Sequence, residues 1–218
     1  MLTLLTSPLI FQLLALIAAL SAIAGSLLAA SVYRGKDGKP YSLLNHFISE
    51  LGEVGVSRFA WAFNWGMILS GAFMLFACVS LGLILPGVWS KIGMGAGVIT
   101  SVALVFVGVF PMNNITPHSR AAVTYFRFGL GMVVFFTLAV ALQPEPVLPR
   151  LFSLAGVPAI LAFSTFLVYS NIVYRSEKAS DPPANPPPPR PRFWPLALSE
   201  WMIFLTIVPF FFVIALGL

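Results

Sequence analysis

Charge is what this sequence has least of. Only 9% of its 218 residues are Asp, Glu, Lys or Arg, while 59% are hydrophobic. Soluble domains carry about 25% charged residues. A chain this poor in charge cannot cover a water-facing surface, and a mean hydropathy of +0.95 points to a membrane protein. Cysteine is scarcer still. Cys78 stands alone inside an apolar run, which excludes an internal disulfide and a CxxC site. With two histidines in the chain, metal sites built on three or four are excluded. A bis-histidine haem is set aside because His46 and His118 both fall in expected loops. HExxH and GxSxG are missing. The glycine-rich Gly93-Met94-Gly95-Ala96-Gly97 has no strand before it and no lysine after it, so it reads as a packing surface and not a nucleotide loop.

What is present is a set of six apolar runs, at 9–32, 59–85, 92–110, 121–142, 151–174 and 196–218. Each meets the length of about 20 residues that a spanning helix needs. The first run has too long an apolar core for a secretory signal and no basic residue ahead of it, so it reads as a retained helix. The expected fold is all-α: one polytopic transmembrane domain over 1–218, a six-helix bundle with a short interfacial helix near 43–58.

The connections alternate in character. Those at 86–91 and 143–150 are short turns. Those at 33–58, 111–120 and 175–195 are longer and more polar, and with six spans they share one side of the membrane. Arg34, Lys36, Lys39, Arg58, Arg120, Arg175, Lys178, Arg190 and Arg192 belong to that side, whereas Lys91 and Arg150 belong to the other. Positive charge marks cytoplasmic loops, so the long loops are expected in the cytoplasm and both termini outside. The net charge of +5 is explained by these topology signals and by contact with lipid headgroups. No nucleic-acid partner is expected, because no polar domain carries the charge. Residues 181–192 form a proline-rich stretch that reads as a stiff exposed spacer.

Small residues four apart mark close helix contacts in lipid: Ser21 and Gly25, Gly66 and Ser70, Gly93 and Gly97. Trp61, Trp65, Trp194 and Trp201 fall near the long-loop ends of the second and sixth runs, where an interfacial aromatic belt accounts for them. Trp89 can do the same at the other face.

Ionisable residues inside spans are costly and point to function. Arg127 and Glu200 are the two here, both near the long-loop end. Asn64 lies at similar depth, and Asn171 near the same end. In the opposite half Gln12 is the most polar group within a span. The polar layer adjoins Asn45-His46-Phe47-Ile48-Ser49-Glu50-Leu51-Gly52 and Glu53 from the first loop, and Asn113, Asn114, His118 and Arg120 from the second. On a helix over 43–58, His46, Glu50 and Glu53 would share one face. A histidine and a carboxylate one turn apart suit a metal, or a base with its orienting partner.

The site is therefore expected from His46, Glu50 and His118 as catalytic residues or as ligands of a single divalent metal. Asn64, Asn113, Arg120, Arg127 and Glu200 are the expected substrate-binding set. Arg120 and Arg127 would hold an anionic headgroup, and Glu200 would pair with Arg127. Each also has a plainer reading. Arg127 can snorkel to headgroups, the histidines can cap or line the interface, and Asn113 and Asn114 can be turn residues. The functions this supports are binding, with or without modification, of a lipid or amphiphile. A small transporter or channel and a non-catalytic scaffold are the alternatives.

The segment 45–52, the six-span layout, and Val107-Gly108-Val109-Phe110-Pro111 with His118 after the third span together resemble a bacterial integral-membrane family of unknown function. That family is similar to the eukaryotic FRAG/DRAM/Sfk group. The resemblance covers most of the chain. It implies a six-helix bundle in a bacterial inner membrane, with 45–52 and 107–118 as signature positions. Some members of the wider group are associated with lipid remodelling, which implies membrane lipids as partners. The eukaryotic relatives place the first loop away from the cytosol, against the charge bias, so orientation stays open between the two.

Overall fold

The computed structural model describes residues 2–36, 38–179 and 190–218. The apolar runs are six long helices: α1 (Pro8–Ser31), α2 (Ala60–Ile84), α3 (Val88–Val109), α4 (Ile115–Ala141), α5 (Gly156–Ala179) and α6 (Pro195–Gly217). All six are long and apolar enough to cross a membrane. The shortest has 22 residues. At about 1.5 Å per residue it spans about 33 Å, enough for a hydrocarbon core of about 30 Å. The proline-rich spacer lies, through Pro189, outside the described residues.

The helix starts follow local chemistry. Pro8 and Pro195 open α1 and α6, where a missing amide hydrogen costs nothing. Gly87, at φ +87°, turns the chain tightly between α2 and α3. The fourth helix starts six residues before the expected 121. Pro117 falls in its first turn, where proline is tolerated, so His118 and Arg120 stand on a helix and not in a loop.

Consecutive helices pack side by side, and α6 returns to α1 to close the bundle. The small residues of α1 and α2 meet in the seam between those two helices. A Cβ on Gly25 would stand 2.6 Å from the Ala62 carbonyl oxygen, and one on Gly66 would stand 2.7 Å from that of Ser21. Backbone touches backbone there, which only glycine permits. The α1–α6 seam is looser, and a cavity opens beside it.

The long connections meet at one end, as expected from six spans. Asn113 forms two hydrogen bonds with the Val54 backbone, at 2.7 and 2.9 Å, joining the first two loops. The Trp194 amide donates to the Leu44 carbonyl at 2.7 Å, and the Asn45 side chain donates to the Pro191 carbonyl at 3.1 Å. The first loop is thus tied to the chain entering α6. The short helix expected near 43–58 is a five-residue 3-10 turn, Ile48–Gly52. It does not lie along the interface. Ser49, Glu50, Leu51 and Gly52 are buried, so the turn plugs the mouth of the bundle.

The aromatic belt is only partly as expected. Trp61 and Trp65 are 62% and 58% exposed and suit an interface. Trp201 is buried and donates to the Tyr41 hydroxyl at 2.8 Å. Trp194 is half-buried against Phe47, and Trp89 is half-buried and stacked on Phe135.

Candidate functional site

The plug is held by two carboxylates from different places in the chain. Glu50, on the turn itself, accepts the Phe47 amide at 2.9 Å. It also takes a two-pronged ion pair from Arg190, at 2.9 and 2.8 Å. The Arg190 guanidinium continues to the Asn45 carbonyl at 2.7 Å and lies 5.8 Å from the centre of the Trp194 ring. Glu200, on α6, accepts the next amide, that of Ile48, at 2.7 Å. The Ser49 backbone and hydroxyl lie beside the same carboxyl group. The first amides of a helical turn have no partners within the turn, and here they point at carboxyl oxygens.

His46 is buried beside this turn, and its chemistry is absorbed locally. Its Nδ1 sits 3.2 Å from both the backbone nitrogen and the oxygen of Ser42. Its ring packs edge-on against Tyr33 and tilted against Tyr41, at centroid distances of 5.4 and 5.1 Å. Tyr41 in turn donates to the Phe47 carbonyl at 2.8 Å. Burial pushes the Tyr41 hydroxyl far above its ordinary pKa, with the Trp201 hydrogen bond opposing and Glu200 and Glu50 adding to the shift. The phenol stays protonated and remains a donor. Tyr33, Tyr41, His46 and Trp201 form one aromatic cluster under the first loop.

His118 stands elsewhere. Its Nδ1 lies 2.7 Å from the Phe110 carbonyl, at the end of α3. A carbonyl only accepts, so Nδ1 carries the hydrogen and Nε2 of the neutral ring is an acceptor. The Val107 carbonyl, one turn earlier on α3, lies beside the same ring.

The expected site is therefore rearranged. Among the described residues no three His, Cys, Asp or Glu side chains stand close enough to hold a metal ion. His46, Glu50 and His118 are not gathered into a metal set, because each is engaged by a different partner. The expected Arg127–Glu200 ion pair is not formed. Arg127 is exposed on α4, a cheaper place for a cation than a dry interior. Arg120 is exposed as well. Glu53 reaches outward to Lys36, at 2.8 Å. Asn171 is exposed. Asn64 is buried and donates to the Gly52 carbonyl at 3.1 Å. Its side-chain oxygen packs directly on the Gly52 Cα, where no Cβ could fit, so Asn64 locks the turn onto α2. Asn113 serves the loop seam.

Two cavities lie beneath the plug. The larger, about 360 Å³, is apolar and opens between α1, α2 and α6. Ala15, Ala18, Ala19 and Ala22 of α1 line one wall, Met67 and Met74 of α2 another, and Ile207 and Phe211 of α6 a third. Gln12 lines it too and donates to the Ala215 carbonyl at 2.8 Å, linking α1 to α6. The smaller, about 50 Å³, lies directly under the turn and is lined by Ser49, His118, Tyr125 and Glu200 among apolar neighbours. Met67, Leu104, Tyr125 and Phe204 line both. The arrangement is a small, mostly apolar cavity under the turn beside a larger apolar one.

Several of these residues were hidden in the sequence. Arg190 and Glu50 are 140 residues apart, and no local spacing links them. Tyr125 reads there as one more aromatic in a span. The alanines of α1 give the single local hint, since four small residues on one helix leave space that something else must fill.

The bundle defines the class: a six-span integral membrane protein with a roofed cavity. The chain belongs to the family described as "Protein of unknown function (DUF998)", which matches residues 16–217. No curated protein and no solved structure matches it.

Proposed function

We propose that the protein binds a membrane amphiphile, taken from the bilayer into the cavity between α1, α2 and α6. The observation that carries this is the apolar cavity that opens between α1, α2 and α6, walled by the small side chains of α1. A volume of about 360 Å³ sits at the low end of the range of about 300–1,000 Å³ for small-molecule pockets, which suits one hydrocarbon chain. A soluble ligand would gain little from such walls. A chain already in the bilayer sits in an apolar medium before and after entering them and gains packing contacts, which offset part of its ordering cost. His46 and Glu50 act in this reading as positioning residues that hold the roof. Arg120 and Arg127, exposed at the same end, meet anionic headgroups of the surrounding lipid. The charge bias supports a bacterial inner membrane with the long loops in the cytoplasm. The resemblance of 45–52 and 107–118 to a family similar to the FRAG/DRAM/Sfk group supports the same turn towards lipids.

Native mass spectrometry of the full chain released from its own membranes tests the reading. The wild type should carry a bound single-chain amphiphile, and Ala18→Leu, which fills the α1 wall, should lose it. Equal retention by both would overturn the reading.

A further inference from the structure

The cavity between α1, α2 and α6 has a direction. We propose that it takes one hydrocarbon chain of an amphiphile in the short-turn leaflet, entering sideways between α1 and α6. The chain tip rests against Leu104, Tyr125 and Phe204, and the head stays in the headgroup layer beyond Gln12. This rests on the amphiphile reading above and adds the leaflet and the orientation.

Exposure marks the mouth. Among the lining residues, Leu16 on α1 and Phe212 and Leu216 on α6 are exposed. All three lie in the half of the bundle nearer the short turns. Leu16 is in the third turn of α1, which begins at Pro8, and Phe212 and Leu216 are in the last two turns of α6, which ends at Gly217. Towards the long loops the lining residues Ala22, Met67, Leu104 and Ile207 are buried. The cavity is therefore open to lipid near the short turns and closed towards the plug.

Depth matches one leaflet. From Gln12 to Ala22 the α1 wall runs for about 15 Å, at about 1.5 Å per residue. That is half of a hydrocarbon core of about 30 Å. Gln12 itself is in the second turn of α1, close to the edge of that core. A chain of the short-turn leaflet reaches the closed end without changing its depth, so its head need not leave the headgroup layer. No charged side chain lines the cavity, and a charged head drawn inside would lose its hydration for nothing.

The last helix supplies the gap. Pro209 stands inside α6 between Phe204 and Phe212. A proline there removes one backbone hydrogen bond and favours a bend. Near the short turns the Gln12 side chain rejoins the two helices through the Ala215 carbonyl, at 2.8 Å. The incoming chain passes on the lipid side of that clasp, between Leu16 and Phe212.

The test uses the full chain in nanodiscs and two forms of dodecanol, one with a photoreactive diazirine beside the hydroxyl and one with it at the chain end. Crosslinked residues are located by peptide mass spectrometry, with exposed Leu161 of α5 as the measure of labelling from bulk lipid. The chain-end probe should label Leu104, Tyr125 or Phe204 severalfold more than the hydroxyl-end probe does, and the hydroxyl-end probe should favour Gln12, Leu16 or Leu216. Ala18→Leu, which fills the α1 wall, should remove the labels at Leu104, Tyr125 and Phe204 and leave that at Leu161. Ile207→Phe fills the α6 wall instead and should do the same, which separates blockage from a folding defect in one variant. The reverse pattern, or equal labelling of both sets by both probes, would overturn the leaflet and the orientation; if the two variants still removed the labels, the amphiphile reading would stand. If neither probe labelled the cavity residues above Leu161, or if both variants left every label unchanged, the amphiphile reading itself would fall.

Discussion

The Ile48 amide and the Glu200 carboxylate are 152 residues apart in the chain and 2.7 Å apart in space. That bond attaches the first loop to the last helix and sets the roof over the cavity. A carboxylate inside a span is expensive. Here it caps the otherwise unpaired start of the turn, so its presence has a structural reason.

Glu200→Leu should therefore destabilise the protein. It leaves the Ile48 amide without its partner, at a cost of about 1–3 kcal/mol. Glu200→Gln keeps an acceptor and should cost less. Thermal unfolding in detergent, followed by tryptophan fluorescence, checks the order. A Leu variant as stable as wild type would show that the cap contributes nothing.

The Glu50–Arg190 pair has a carboxylate that is 7% exposed and a guanidinium that is 39% exposed. Removing one partner of a buried pair costs about 3–5 kcal/mol. The open side of Arg190 places Glu50→Ala towards the lower end. Arg190→Lys cannot make the two-pronged contact and should recover only part of the stability lost in Arg190→Ala. A double-mutant cycle on unfolding midpoints measures the coupling, and additive effects would contradict it.

Gly25→Ala should cost about 1–3 kcal/mol, because a Cβ there overpacks the seam with α2 and meets the Ala62 carbonyl oxygen at 2.6 Å. Gly95→Ala is the control, with nothing within 4 Å of the added atom. It should be neutral or slightly stabilising. Equal losses from the two would mean that the α1–α2 approach is not tight.

Burial raises the folded-state pKa of Tyr41. Both states are protonated below the unfolded value of about 10. Above it the unfolded chain releases the proton and the folded one does not, so stability falls as pH rises past about 10. The unfolding midpoint of wild type should drop there, and Tyr41→Phe should show a shallower drop. Parallel curves would remove Tyr41 as a cause.

Orientation can be read directly, because the sole cysteine, Cys78, is buried. In right-side-out cells Lys36→Cys should resist a membrane-impermeant maleimide until the membrane is opened, while Glu145→Cys on the short-turn side should label at once. The reverse pattern would invert the topology.

The six helices were legible because a bilayer imposes one simple rule, an apolar run of sufficient length, and the chain obeys it six times. The shared side of the long loops followed by counting, and the small-residue faces of the first two spans by spacing, while the meeting of Gly25 with Gly66 came from the packing. The site was legible only in part. His46, Glu50, His118, Asn64 and Glu200 do fall in one polar layer. Their roles did not follow, because a helical repeat over 43–58 predicts one shared face. The segment instead winds as a short 3-10 turn whose side chains find partners on α2, α6 and the chain around Arg190.

By itself the sequence determined the class of protein, the number of spans and the end where polar groups collect, since hydropathy and charge act locally and need no partner. Which residues share a contact was decided by tertiary structure alone. Arg190 chose Glu50, Glu200 chose the Ile48 amide in place of Arg127, and four alanines on α1 became the wall of a cavity. Those choices depend on which groups the bundle brings together away from water. In that dry setting an unpaired donor or acceptor is costly, so the strongest groups take whatever partner lies within reach.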